Sequence, residues 1–314
     1  MRSLFIIFIL FVLTSCAQKP EEKTAEAIDV ALSHLSSGEC DAALEVLQDA
    51  SDLANPIYVQ VLASAYSCKA NYDEVEFISN DLSGLSTGTP AAIMKSIASM
   101  SLSPETAADS DNYVAIRTGI NTILGATTTV THDARVTKFG ARKAGDLSVQ
   151  ALMLNVVNLG KFLNFYGNAD ADGDKGQGTN TNSCFINYTD PRAQTVITSG
   201  VGGVCNSNTD GHPDLSFAAA NLSNAKRRLC EGLMLVTNVL DILDNLDLSG
   251  SSELAKLEDI SAQVSTFKTA AVAAGLGTLI NMTSQSQCET AMNTASNLND
   301  MEYLYSLVFE TGLQ

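Results

Sequence analysis

The sequence predicts an all-α protein, and three observations carry that expectation. Apolar residues recur at helical spacing along most of the chain. The Thr-rich piece Thr127 to Thr131, which would pass as a strand alone, has no visible partner. The longest apolar stretch, about Leu147 to Tyr166, has Leu152, Val156, Leu159, Leu163 and Tyr166 on one stripe. Leu154, Val157 and Phe162 widen that stripe, as in a central core helix.

Taken in order, the chain opens on Arg2 and an apolar run from Leu4 to Leu13 that ends in small residues. This is the pattern of a secretory signal, and the run is about half as long as a membrane span requires. The residues Leu13-Thr14-Ser15-Cys16 resemble the lipobox of bacterial lipoproteins. The resemblance implies a signal peptide over 1–15, lipidation of Cys16 as the first mature residue, and a stable membrane anchor. It also implies residence in the bacterial cell envelope. In the Gram-negative sorting system, the absence of an acidic residue at Ala17 implies the outer membrane. Residues 17–24 are polar and read as a tether.

A first helix is expected from about Ala25, with Ala27, Ile28, Ala31, Leu32 and Leu35 in phase. Gly38 ends it, and Ala42, Ala43, Val46, Leu47 and Ala50 mark a second. Pro56 opens a third with Val59, Leu62, Ala63 and Tyr66, and a fourth runs from about Tyr72 through Val75 and Ile78. Over residues 25–82 this pattern resembles a tetratricopeptide repeat: Ala31 and Gly38 are small, Ala43, Leu47 and Ala50 fit second-helix packing, and Ala65 follows Ala31 by the repeat period of about 34. Tyr72 and Phe77 depart from the motif's small residues, and an ordinary helical bundle is the alternative. Antiparallel neighbours in such a stack would place Cys40, at the start of the second helix, beside Cys68, at the end of the third.

After the turn-rich 82–90 stretch, Thr89-Pro90 reads as an N-cap and first helical residue. A body of helices is expected over 90–314. It includes a helix from about Tyr113 to Leu124 and a long one near Leu215 to Leu248. Further helices run from about Glu253 to Ala271, Gln287 to Ser296 and Met301 to Thr311. Residues 167–215 interrupt it with a loop rich in Gly, Asn, Asp, Ser and Thr, long enough to be functional or disordered. Pro191 to Ser199 is a short helix or strand within it.

That loop holds the candidate metal ligands. Asp170, Asp172 and Asp174 form one acidic cluster. Asn206, Asn208, Asp210 and Asp214 form another, with Gly211 at the turn and the His212 carbonyl as a further oxygen. The second resembles extracellular calcium loops, which implies calcium as cofactor. Phe217 stands where such loops carry a bidentate glutamate, and a metal-free Asx-turn loop suits the same residues. A Cys184–Cys205 disulfide would draw the two clusters toward each other. Cys230 and Cys288 flank the C-terminal half and form a third candidate pair. With Cys16 lipidated, six of the seven cysteines remain, an even number suited to an oxidising compartment.

The net charge of −17 argues against nucleic acid as a partner. His34 reads as a surface or packing residue, and Asp133 of His132-Asp133 reads as a helix cap. No hydrolase, zincin or P-loop motif is present. The expectation is a non-enzymatic, lipid-anchored helical scaffold for a protein or ligand in the envelope. The alternatives are a calcium-stabilised surface or adhesion module and a solute-binding component of a transport system.

Overall fold

The computed structural model describes residues 19–86, 88–125, 131–199, 203–207, 209–246 and 268–313. The lipobox, most of the Thr127–Thr131 piece, Asn208 and most of the expected 253–271 helix lie outside them. The described residues are all-α, and their one β feature is an isolated bridge between Cys184 and Gly211.

Helix α1 spans Pro20–Ser36, α2 Cys40–Ala50 and α3 Pro56–Lys69. The first helix begins before Ala25, so most of the expected tether is helical. Proline suits the first turn because its missing N–H has no partner to lose there, and Thr24 is already buried. These three helices pack on one another, and Cys40–Cys68 is a disulfide. Asn55 caps α3 by accepting from the Ile57 and Tyr58 amides. The expected fourth helix is a short turn, Glu74–Glu76, that continues as π-helix Phe77–Leu82 (together α4). The main partner of α3 on its other side is α6, Asp111–Leu124, rather than α4.

Helix α5 spans Pro90–Ala98, with Thr89 capping it through the Ala92 amide at 3.2 Å. Helix α7, His132–Phe139, is capped by Thr131 rather than Asp133, which sits inside the first turn. Helix α8, Ala141–Tyr166, is the centre. It packs against α3, α5, α6, α7 and α10, Leu222–Asn245. From Ala151 to Leu163 every residue of α8 is buried. That encirclement explains its all-round apolar character, which a half-exposed helix would not have.

The other described helices include α9 (Pro191–Thr198), α11 (Gly277–Ile280), α12 (Gln285–Ala291) and α13 (Ala295–Tyr305), the last continuing as π-helix Ser306–Glu310, and a 3-10 turn at Pro213–Leu215. Cys230–Cys288 ties α10 to α12 and Cys184–Cys205 closes the long loop.

Candidate functional site: a polar pocket between helices

The long loop is a packed element. Phe185, Ile186, Tyr188, Ile197 and Leu215 are buried in the common core. Two glutamates of the α13 segment fasten it, about two helical turns apart. Glu302 accepts from the Thr189 amide at 2.5 Å, the Thr189 hydroxyl at 2.8 Å and the Asp190 amide at 2.7 Å. Glu310 accepts from the Phe185 amide at 2.7 Å and the Tyr188 hydroxyl at 2.6 Å, and pairs with Lys175.

The two acidic clusters take separate partners. The Asp170 carboxylate accepts from the Asp172 and Asp174 amides, at 3.0 and 2.8 Å, closing an Asx turn. Asp174 is ion-paired with Lys95 of α5. Gly173 allows this approach, since its φ is +79° and a Cβ would sit 2.3 Å from the Lys95 carbonyl oxygen. In the second cluster, Asp210 accepts from the Ser183 hydroxyl at 2.6 Å, and its carbonyl accepts from the Ser183 and Cys184 amides. Gly211 is there for close approach: a Cβ would lie 2.4 Å from the Asn187 nitrogen. The His212 carbonyl accepts from the Leu215 amide, while its ring accepts from the Asp214 amide and packs on Phe165 and Tyr166. Asn206 is exposed. The Cys184–Cys205 bond thus draws the second cluster to residues 183–187, whereas the first is held at α5. Among the described residues, no three carboxylates of the two clusters lie within 4.8 Å of one another. The grouping that does is Cys184, Cys205 and Glu310, whose sulfurs are joined.

A second concentration of polar groups lies where α6, α8 and α10 meet the 283–289 segment. A cavity of about 290 Å³ is lined there by Ile120, Leu124, Met234 and Leu235, with Arg117, Arg227, Glu231 and Glu289 as its charged groups. Glu231 accepts from Arg117, and also from Arg228 at 3.1 Å. Asp109 joins Arg228, with Arg227 at 3.5 Å and Arg117 at 3.7 Å. Burial alone would raise the Asp109 carboxyl, but Arg228, Arg227 and Arg117 together outweigh it and hold the group below the ordinary carboxylate range. Burial works against the Arg117 charge, and Glu231, with Tyr113 and Asp109, more than offsets it.

Beneath this network, buried polar atoms lack partners. Asn158 of α8 lines the cavity and is fully buried, and neither its Oδ1 nor its Nδ2 has a hydrogen bond. Its neighbour one turn earlier, Asn155, donates to the Ala151 carbonyl and accepts from Asn238 at 3.3 Å. The Tyr113 and Tyr166 hydroxyls and Arg228 Nε are also buried and unpartnered. Burial raises both tyrosines well above their ordinary value, so they remain neutral. Buried polar groups without partners are uncommon and costly, at about 1–3 kcal/mol each.

None of the lining residues stood out as a site in the sequence. The usable signal was a pair of asparagines, Asn155 and Asn158, inside the most apolar helix of the chain. Comparison with known protein families, curated proteins and solved structures finds no match to this chain.

Proposed function

We propose that this chain is a lipid-anchored protein of the bacterial cell envelope whose helical body is a non-enzymatic scaffold that holds a small ligand. The observation that carries the binding role is the α6–α8–α10 cavity with the orphaned Asn158 amide in its lining. An apolar wall set beside converging polar groups is a feature of small-molecule sites. The carboxylates at this site already have partners: Glu231 accepts from two arginines, and Glu289 from the Gln285 amide at 2.7 Å. That arrangement suits binding better than proton transfer.

The envelope address rests on Leu13-Thr14-Ser15-Cys16, and the three disulfides support it, since such bonds persist in oxidising compartments. Among the described residues, no helix is long and apolar enough to cross a membrane.

Two measurements test the reading. Cys16→Ser should move the protein from the membrane fraction to the soluble fraction, and a variant that stays with the membrane would refute the anchor. Native mass spectrometry of the full chain, extracted in mild detergent, should show an added mass that disappears on denaturation. Protein that is bare throughout, and that shows no thermal stabilisation by a metabolite panel, would refute the binding role.

A further inference from the structure

We infer that the cavity between α6, α8 and α10 recognises a neutral ligand through a primary carboxamide or cyclic-amide edge, paired with Asn158. The inference rests on the proposed binding role and specifies its chemistry. Asn158 leaves both a carbonyl oxygen and an NH2 group unpaired. A complete partner must therefore present an acceptor and a donor side by side. A primary carboxamide or a lactam does so, forming two parallel hydrogen bonds with an asparagine. A carboxylate would satisfy Nδ2 and leave Oδ1 without a donor, and an ester or ether would do the same. An ordinary trans peptide presents its N–H and C=O on opposite sides.

The remaining lining agrees with a neutral ligand. Its charged groups, Arg117, Arg227, Glu231 and Glu289, balance in sign. Ile120, Leu124, Met234 and Leu235 offer an apolar wall to the rest of the molecule. The flexible Met234 thioether suits the adjustment needed to bring a ligand edge against the buried amide. The volume of about 290 Å³ lies at the small end of ligand pockets, which run from about 300 to 1,000 Å³.

Benzamide and 2-pyridone serve as probes, with benzoate and methyl benzoate as controls of similar size. With the full-length protein, millimolar benzamide or 2-pyridone should raise the melting temperature and shift a side-chain amide resonance assigned to Asn158. The controls should do neither, because a site built to hydrogen-bond both groups rejects analogues that lack one. Asn158→Leu removes the unpaired amide while keeping side-chain size. It should melt at or above the wild-type temperature and lose the response to both probes. Equal responses to amides and esters, an unmoved Asn158 resonance, or probe binding retained by Asn158→Leu would overturn the inference. A co-purified ligand that lacks an amide edge and is held equally by Asn158→Leu would also overturn it, while leaving the binding role in place.

Discussion

Lys175 and Glu310 form an ion pair in which neither side chain reaches solvent. One belongs to the long loop and the other to the last helical segment of the described chain. Glu310 also receives the Phe185 amide and the Tyr188 hydroxyl, so a single carboxylate gathers three donors from the loop.

Removing one member of such a pair strands the other. Glu310→Gln should destabilise the protein by about 3–5 kcal/mol, measured by chemical denaturation at pH 7. Adding Lys175→Met should recover most of that loss, because the stranded charge is then gone. Burial pushes the Lys175 ammonium from 10.5 down to about 7. The unfolded chain therefore binds more protons than the folded one between pH about 7 and 10.5. Wild type should gain stability as pH rises through that window, and the double variant, which lacks the lysine, should not. Wild-type stability in Glu310→Gln would show that the pair does not hold the loop.

Asp190 joins the same loop to α13 from the other end. It caps α9 through the Arg192 and Ala193 amides, and its carboxylate takes Arg192 Nε at 3.0 Å and Nη2 at 3.1 Å. Arg192 also reaches Asp300 at 2.8 Å and lies over the Tyr303 ring. The Arg192 side chain holds the Asp190 carboxyl below its ordinary value of 3.8. Its contribution is therefore present above that value and lost as pH falls through the depressed folded value. Asp190→Asn keeps the cap, since asparagine caps as well as aspartate, and removes the charge. Arg192 is partly exposed, so the cost at pH 7 should be on the order of 1 kcal/mol. Melting curves from pH 7 to pH 2 should show wild type and variant converging below pH about 4. A constant gap across that range would assign the effect to packing instead.

Calcium is the other ligand the sequence suggests, through Asp170, Asp172, Asp174, Asn206, Asn208, Asp210 and Asp214. Lys95 already holds Asp174, and Ser183 holds Asp210. A binding ion would have to displace or bypass both. The expected outcome is a melting temperature unchanged between chelator and millimolar calcium. A rise that is lost in Asp170→Asn and Asp210→Asn variants would instead establish a site at the loop.

The helices were readable because their signals are local. Thr89-Pro90 announces its helix start, and the stripe through Leu152, Val156, Leu159 and Leu163 announces a core helix. The beginning of α1 was harder, since Pro20 to Thr24 are polar enough to pass for a tether until their packing is seen. The π-helical course of α4 is not legible for a related reason. Hydrophobic spacing does not separate an α-helix from a π-helical turn when tertiary contacts decide the last few residues.

The sequence by itself determined the all-α class, because periodicity along one segment needs no knowledge of the others. It also brought the six cysteines forward as candidates, and the pairs 40–68, 184–205 and 230–288 are joined in the fold. Only the tertiary structure decided what the polar residues do. Asp174 meets Lys95, Glu310 meets Lys175, and Glu231 meets Arg117 across separations of 79, 135 and 114 residues. A carboxylate has the same local appearance whether it holds a metal, a lysine or a backbone amide. The same holds for Asn158: only packing against α6 and α10 shows that its amide is buried and unpaired, which makes it the centre of the proposed site.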